Sequence, residues 1–299
     1  MPAGNSYPEN AAIEALPSLK QLVGKLDMRA RKSLGQNFLF DLSLTRRIAR
    51  SAGRLDGTTI EVGPGPGGLT RALLLEGAHR VIAIEKDFRA GTVLASLLGA
   101  AGNRLELVEA DALKTPLWQM GEAPRRIVAN LPYNIATTLL IQWLGRASAF
   151  ESMTLMFQKE VAERITAQPG DSAFGRLSIL TGWMADAAIL FDIPPEAFVP
   201  APKITSTVVH IRPLAAPRYE CERAALEHVT RLAFGQRRKM LRASLKPIGG
   251  EALLTRAGID PQGRPQDLDI EAFCRLAREV GAPEDVTEDD RAKGQSPSA

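Results

Sequence analysis

The sequence predicts an α/β fold in which a largely parallel β-sheet carries helices on both faces and is followed by a small all-helical domain. Three observations predict this fold class. Short β-branched runs alternate with helix-length segments between about residues 57 and 213, and no strand-like run follows residue 213. The 299 residues are 45% hydrophobic and 24% charged, which is typical of a globular protein with one or two domains.

Composition divides the chain into four segments. Residues 1–24 form an N-terminal extension that lacks the basic start and apolar core of a signal peptide. Residues 25–214 contain the predicted sheet, and residues 215–280 are predicted to form short helices interrupted by glycine and proline. The polar residues 281–299 are predicted to be a disordered tail.

Seven runs are predicted to be strands of the sheet. They are residues 58–62, 80–85, 104–109, 126–129, 154–157, 187–191 and 207–211. Helices are predicted at residues 69–76, 88–98, 137–144 and 159–167. Sheets of this type bind ligands at the carboxyl ends of their strands. Functional side chains are therefore expected directly after each strand.

The first strand runs into a glycine-rich turn, "EVGPGPGGLT", in which Gly63, Gly65 and Gly68 match the pattern GxGxxG. That pattern occurs in dinucleotide sites, and a tight strand-to-helix turn without a ligand can also match it. Glu61 would repel a pyrophosphate and would suit a cationic ligand. S-adenosylmethionine, which carries a sulfonium and an ammonium and no phosphate, therefore fits this turn better than a dinucleotide.

The next two strands end near carboxylates. Glu85 lies 20 residues after Gly65 and can accept hydrogen bonds from both hydroxyls of a ribose. Asp111 follows the third strand and can accept a hydrogen bond from the amino group of adenine. Each carboxylate alone could be a solvated strand end. Together, after a glycine turn, they favour an adenosine-bearing cofactor.

The fourth strand ends on "NLPY", residues 130–133. The side-chain carbonyl of Asn130 and a main-chain carbonyl of Leu131 or Pro132 could accept both hydrogens of an adenine amino group. Acceptors placed out of the ring plane would turn the nitrogen lone pair toward a methyl donor. Tyr133 offers a flat face on which a base can stack. The alternative is an Asn-Pro turn with a half-buried tyrosine.

Eight segments occur in the order of one enzyme family. They are "KSLGQNFL" (32–39), "EVGPGPGGLT" (61–70), "EADAL" (109–113), "NLPYNI" (130–135), "FQKEVAERI" (157–165), "FGRLSIL" (174–180), "FVPAPKITSTVV" (198–209) and "FGQRRKMLR" (234–242). Over about residues 25–275 the chain thus resembles the small-subunit (16S) ribosomal RNA adenine N6,N6-dimethyltransferases. The resemblance implies a Rossmann-like class I S-adenosylmethionine-dependent methyltransferase sheet of seven mostly parallel strands with a small C-terminal all-helical domain. It also implies dimethylation of two adjacent adenosines in the 3′-terminal hairpin loop of 16S rRNA during ribosome biogenesis.

The same resemblance implies roles for single residues. Cofactor binding is expected of Asn37, Leu39, Gly63, Gly65, Glu85, Asp111 and Asn130. Catalytic roles are expected of Asn130, Pro132, Tyr133 and Phe198. Phe198 would cover the face of the target adenine opposite Tyr133, with a core aromatic as the alternative. No metal site is expected, since Cys221 and Cys274 lie 53 positions apart and form no CxxC motif.

RNA binding is predicted from local clusters of basic residues, because a net charge of +3 alone does not predict it. The helical domain contains Arg237, Arg238, Arg242 and Lys246. Three of them, Arg238, Arg242 and Lys246, have the i, i+4, i+8 spacing of one helix face. Further clusters are Lys20, Lys25, Arg29, Arg31 and Lys32, and then Arg46, Arg47 and Arg50. A basic stripe can be a solvated face, but beside a base-modifying site it favours phosphate contact.

The expected partner is 16S rRNA in the assembling small ribosomal subunit, with the target bases in a loop or flipped out. The protein is expected to be a cytoplasmic monomer, and its two widely spaced cysteines fit a reducing cytoplasm. No membrane contact is expected, since its most apolar run, residues 177–193, is interrupted by Gly182 and Asp186. Two alternatives are a 23S rRNA adenine N6-methyltransferase of the macrolide-resistance type and a non-catalytic ribosome-assembly or transcription factor. The intact glycine turn and "NLPY" argue against a loss of catalysis.

Overall fold

A computed structural model describes residues 7–25 and 36–281 and contains a seven-stranded sheet and a separate two-stranded sheet. The strands are β1 (Phe38–Leu39), β2 (Thr58–Val62), β3 (Arg80–Glu85), β4 (Leu105–Glu109), β5 (Arg125–Asn130), β6 (Ser152–Gln158), β7 (Ala185–Ile193), β8 (Phe198–Val199) and β9 (Ser206–Pro213). The seven predicted strands are confirmed as β2 to β7 and β9. The sheet of β1 and β8 was not predicted, because two-residue strands have no detectable periodicity.

Helices surround the large sheet and form the C-terminal region. They are α1 (Asn10–Glu14), α2 (Leu19–Lys25), α3 (Leu42–Ser51), α4 (Gly68–Leu75), α5 (Ala90–Ala101), α6 (Tyr133–Leu144), α7 (Lys159–Thr166), α8 (Arg176–Met184), α9 (Arg223–Gly235), α10 (Leu241–Ser244), α11 (Gly250–Arg256) and α12 (Ile270–Val280). The four predicted helices are present as α4 to α7. Within the described residues, no helix combines the length and the apolar character needed to cross a membrane.

The large sheet has the strand order β4-β3-β2-β5-β6-β9-β7. Strands β2 to β6 pair in parallel, and β9 pairs antiparallel with both β6 and β7. The chain moves outward from β2 to β4 and then returns to place β5 on the other side of β2. Loops diverge at such a reversal and leave a crevice at the carboxyl ends of the strands, which is the usual position of a ligand.

The centre of the sheet and the helix after it are buried on all sides. All five residues of β2 are buried, and so are all eight residues of α4. The helix contacts β3, and α1 and α3 pack against it. A helix without a solvated face belongs to the core and does not shift easily. Helix α4 therefore holds the preceding glycine turn in one place.

The N-terminal residues 7–25 pack against the large-sheet unit through two buried arginines. The Arg71 side chain in α4 is 7% exposed and donates three hydrogen bonds to main-chain carbonyls of residues 14–17. Arg104 donates to the side chain of Asn10 in α1. The N-terminal residues are therefore attached to the large-sheet unit by side-chain hydrogen bonds from both guanidinium groups.

The described residues form two compact units. One lies within Met1–Thr166 and Met184–Ala216, and the other within Ala167–Trp183 and Pro217–Ala299. The predicted boundary after residue 214 differs from this division in residues 167–183, which pack with the helical unit. Phe174 makes an edge contact with Phe234, and Phe234 stacks on Phe273. An aromatic cluster therefore draws this internal segment into the second unit.

The prediction that three basic residues share one helix face is wrong. Helix α9 ends at Gly235, and Arg238 lies in the turn that follows. Arg242 belongs to the four-residue α10, and Lys246 begins a 3-10 turn. Met240 has an extended backbone, with φ −62° and ψ 150°, which interrupts the helical path. The three basic side chains are exposed but lie on separate short elements.

Candidate active site

A cavity of about 200 Å³ opens at the carboxyl ends of β2, β3, β4 and β5. Nine of the predicted site residues line it, namely Asn37, Leu39, Gly63, Gly65, Glu85, Asp111, Asn130, Pro132 and Tyr133. Parallel strands place residues that are distant in the sequence at one edge of the sheet. The predicted cofactor residues and the "NLPY" segment thus share a single cavity.

The glycine turn approaches strand β1 closely. At Gly65, where φ is +52°, a Cβ atom would lie 3.0 Å from the ring of Phe38. At Gly68 a Cβ atom would lie 2.5 Å from the main-chain oxygen of Leu39. Both positions therefore need glycine, which has no Cβ atom. This close approach brings β1, and with it Leu39, to the cavity.

Glu85, the last residue of β3, is held by main-chain N–H groups. Its Oε1 accepts hydrogen bonds from the N–H groups of Lys86 and Asp87 at 2.8 and 2.9 Å. Its Oε2 accepts one from the N–H group of Gly65 at 3.3 Å. Burial raises the pKa of Glu85, and these hydrogen bonds oppose that rise. The carboxylate is thereby linked to the glycine turn and fixed in the cavity wall.

Glu61 in β2 is the most deeply buried acid of the cavity, at 1% exposure. Burial raises its pKa to about 8, the neighbouring Thr70 opposes that rise, and the charge of Glu85 adds to it. Among the described residues the Oε2 atom of Glu61 has no hydrogen-bond partner. A buried polar atom without a partner is costly. A cationic ligand in this cavity would supply the missing partner.

Asp111 forms an ion pair with Lys86 that no pattern in the sequence predicted. Its Oδ2 lies 2.9 Å from Nζ of Lys86, and its Oδ1 accepts the N–H group of Leu113 at 3.0 Å. The hydrogen bond from Lys86 lowers the pKa of Asp111, so the carboxyl group is ionised at neutral pH. Lys86 directly follows Glu85 in the sequence, and it also lines the cavity.

The structure shows which oxygen atoms of the "NLPY" segment already take part in hydrogen bonds and which do not. Nδ2 of Asn130 donates to the main-chain oxygen of Asn37 at 3.0 Å. This bond orients the amide, and Oδ1 of Asn130 has no hydrogen-bond partner within residues 7–25 and 36–281. The Pro132 carbonyl accepts two N–H groups of the first turn of α6, each at 3.1 Å. Of the two predicted main-chain acceptors, Leu131 is the one outside the helical hydrogen bonds.

Tyr133 is the first residue of α6 and is half-buried at the cavity. Its hydroxyl lies 2.5 Å from Oγ of Ser206 in β9. Burial raises the pKa of Tyr133, so the phenol is protonated at neutral pH. Ser206 lies 73 positions further along the chain, and its own sequence context contains no signal that links it to Tyr133.

Phe198 does not line the cavity. Its side chain is 2% exposed and belongs to a hydrophobic cluster that includes Ile193 and Val208. In the pairing of β1 with β8, Phe198 stands opposite Leu39, which does line the cavity. The structure therefore gives Phe198 the position of a core aromatic, which was the alternative to its predicted contact with the target base.

Comparison with known proteins identifies the family. The family model described as "Ribosomal RNA adenine dimethylase" matches residues 27–281. The chain belongs to the ribosomal RNA adenine dimethylase family. A relative from Sinorhizobium medicae named "Ribosomal RNA small subunit methyltransferase A" is 56% identical over 271 residues, which are 89% of this chain and 98% of the relative.

Two solved structures extend the comparison of this dimethylase. A dimethyladenosine transferase from Plasmodium falciparum has a TM-score of 0.68 and 26% identity, over 80% of this chain and 95% of that one. The 23S rRNA methyltransferase ErmE has a TM-score of 0.62 and 30% identity, over 82% of this chain and 99% of that one. The predicted family, the class I methyltransferase fold and the predicted enzyme class are confirmed.

The basic clusters of the dimethylase differ in whether their side chains have partners within the protein. In α3, Arg46 and Arg50 pair with Glu76, and the guanidinium of Arg47 lies 3.8 Å above the ring of Phe191. Phosphates would have to displace these contacts. Arg29, Arg31 and Lys32 of the N-terminal cluster lie outside the described residues.

Most basic side chains of the cluster in the helical unit are exposed and lie outside the ion pairs of the described residues. Arg237 is partly buried and donates to the main-chain oxygen of Asp171 at 3.5 Å. Arg238, Arg242 and Lys246 are exposed and form no ion pair within the part of the chain that the structure describes. Exposed cations without an internal partner are suited to bind phosphates.

Proposed function

We propose that the protein transfers methyl groups from S-adenosylmethionine to the N6 atoms of two adjacent adenosines in the 3′-terminal hairpin loop of 16S rRNA, and that it dimethylates both. The observation that carries the proposal is the shared cavity. Asn130, whose amide is oriented by its hydrogen bond to Asn37, lines the same cavity as the acids Glu61, Glu85 and Asp111. A cofactor site and a site for an amino group are thus adjacent.

Sequence identity favours RNA of the small ribosomal subunit over RNA of the large subunit as the substrate. The chain is 56% identical to a relative named for the small subunit and 30% identical to the 23S rRNA methyltransferase ErmE. The partner is then 16S rRNA in the assembling small subunit. A non-catalytic factor on the same fold is disfavoured, because the acids and the Asn130 carbonyl would serve no purpose there. We also propose that the protein acts in the cytoplasm, because ribosomal subunits assemble there, and that it acts as a monomer.

The cavity residues fit S-adenosylmethionine. Oε2 of Glu61, which has no hydrogen-bond partner among the described residues, suits a positive charge. The fixed carboxylate of Glu85 suits the two hydroxyls of a ribose. Asp111 would accept the adenine amino group beside Lys86, and Asn37 would lie at the methionine end. When bound, the cofactor supplies a methyl group on a positively charged sulfur.

The "NLPY" segment would prepare the target nitrogen. The lone pair of an adenine amino group is delocalised into the ring, so the nitrogen is a weak nucleophile. Oδ1 of Asn130 and the carbonyl of Leu131 would accept its two hydrogens out of the ring plane, and Tyr133 would stack on the base. Pro132 would stiffen the turn. Catalysis would then rest on orientation and fixed dipoles, without a strong general base.

RNA binding would rest on the exposed cations of the helical unit. Arg238, Arg242 and Lys246 would contact phosphates, and Arg237 would flank them. A base stacked inside an RNA helix cannot enter the cavity, so each target adenosine would have to be unstacked or flipped.

Mapping of methylated nucleotides tests the proposed target. Ribosomal RNA from a strain that lacks the protein should have no dimethyladenosine pair in the 16S 3′-terminal loop, and the intact protein should restore it. Dimethyladenosines that persist in 16S rRNA, or that disappear only from 23S rRNA, would overturn the assignment.

A second experiment tests the chemistry. Asn130→Ala should slow single-turnover methylation of small subunits by roughly 10²–10³-fold, in line with the loss of one preorganised polar group in other active sites. Binding of small subunits should change little, because the acceptor matters most as the nitrogen changes geometry. Methylation at the parent rate would mean that "NLPY" is only a turn.

A further inference from the structure

The ring of Tyr133 is fixed by its backbone at one end and by a hydrogen bond of its hydroxyl group at the other. At its base, the residue begins α6, directly after Pro132 and three positions after Asn130, the last residue of β5. At its tip, the hydroxyl meets Oγ of Ser206 at 2.5 Å. A tyrosine side chain has two rotatable bonds before the ring, so a contact at the tip restricts both. The ring is therefore held in one orientation at the edge of the cavity.

Ser206 is a rigid attachment point. Its side chain is fully buried in β9, between Gln158 of β6 and Ile193 of β7 in the sheet register. The main chain just before it is fixed as well, because the carbonyl of Thr205 accepts the N–H group of Lys159 at 3.0 Å. A strand paired on both sides moves little, so its hydroxyl is a fixed partner for the phenol.

Thr207, the next residue of β9, forms a hydrogen bond on the opposite face of the strand. Thr207 Oγ1 donates to Asp192 Oδ1 at 2.7 Å, and Asp192 Oδ2 lies 2.7 Å from Nζ of Lys159. Successive side chains of a strand point to opposite faces. Thr207 therefore shares the strand and the burial of Ser206 without contacting Tyr133, which makes it a natural control position.

We infer that Ser206 is a positioning residue for methyl transfer, which fixes the plane of the Tyr133 ring for stacking on the target adenine. This inference rests on the proposed function, in which Tyr133 is the stacking platform. Phe198 is in the core. Of the described residues that line the cavity, Phe38 and Tyr133 are the aromatic ones, and Phe38 is buried while Tyr133 is half-buried and held by Ser206. A ring that tilts would misplace the amino nitrogen relative to Asn130, and small errors in such placement strongly reduce rates.

Breaking the contact from either side tests the inference. Ser206→Ala and Tyr133→Phe should each slow single-turnover methylation by about tenfold, measured with small subunits from a strain that lacks the protein and with saturating labelled cofactor. The double variant should be no slower than either single variant, because both remove the same contact. Affinity for S-adenosylmethionine, measured by calorimetry, should stay at the parent value in all three.

Thr207→Val is the matched control. It removes the hydrogen bond to Asp192 and should lower the melting temperature while the methylation rate stays unchanged. Ser206→Ala and Tyr133→Phe approach the contact from different elements, so one remains informative if the other does not fold.

The outcomes separate this inference from the proposed function. If Tyr133→Ala methylates at the parent rate, the stacking role itself fails. If Tyr133→Ala is slow but Ser206→Ala and Tyr133→Phe match the parent, stacking stands and the role of Ser206 is refuted. Single-variant losses that multiply in the double variant would also refute it, since they would then come from separate contacts.

Discussion

The pH dependence of cofactor binding should be set by Glu61. Its carboxyl group is 1% exposed, its Oε2 has no partner among the described residues, and burial raises its pKa to about 8. At pH 6, two pH units below that pKa, roughly one protein in a hundred carries an ionised Glu61, against about half at pH 8. A positively charged ligand in the adjacent cavity favours the ionised form.

This difference has a predictable size. If S-adenosylmethionine binds to the ionised form, its affinity should rise by about 50-fold between pH 6 and pH 8. Below pH 8, binding should also release close to one proton, because the carboxyl group must ionise. Glu61→Gln cannot ionise, so it should bind more weakly at pH 8 and should lose the pH dependence that comes from this group.

Isothermal titration calorimetry at pH 6, 7 and 8 measures both quantities. Buffers with different ionisation enthalpies report the number of protons released. Glu61→Gln is the control for titration of the amino group of the ligand, since an α-amino group has a pKa of about 7.7–8.0. Identical pH slopes in the parent protein and in Glu61→Gln, or proton uptake in the parent, would refute the reasoning.

Four further predictions concern stability, the cofactor, the RNA and the N-terminal extension. The free energy of unfolding of the unliganded protein should fall as the pH rises from about 4.5 to about 8, because unfolded Glu61 ionises first, and denaturant titration of Glu61→Gln should lack that component. Glu85→Ala should weaken S-adenosylmethionine binding by at least about tenfold in calorimetry, since two ribose hydroxyls would lose a charged acceptor; unchanged affinity would contradict the ribose contact. Neutralising Arg238 and Arg242 should reduce the slope of log affinity for small subunits against log salt by about one per lost phosphate contact, and an unchanged slope would locate the RNA surface elsewhere. Arg71→Ala should lower the free energy of unfolding by roughly 3 kcal/mol because it removes three hydrogen bonds that are worth about 1 kcal/mol each, whereas replacement of the exposed Arg50 by alanine should change it little.

The order of elements and the site acids were predictable from the sequence because their signals are local. β-branched runs predicted the seven strands of the large sheet, and the parallel arrangement places strand ends at one edge. Glu85, Asp111 and Asn130 could therefore be assigned to one cavity by their positions after strands. Hydrophobic periodicity locates the strands, and ligands bind at the carboxyl ends of the strands in such sheets.

Short irregular elements were not predictable. The two-residue strands β1 and β8 are too short to show a period, yet their pairing brings Leu39 to the cavity and places Phe198 behind it. The i, i+4, i+8 spacing of the basic residues predicted a continuous helix, but the extended backbone at Met240 interrupts it. Spacing predicts a shared face only where the helix is continuous.

What the sequence by itself determined is which chemical groups follow which strand, because side-chain type and hydrophobic period are properties of the local chain. What only the tertiary structure decided is which groups meet. The contact of Tyr133 with Ser206, the ion pair of Lys86 with Asp111 and the deep burial of Glu61 all depend on sheet register and packing. Register and burial are set by the packing of the whole domain, so no local pattern contains them.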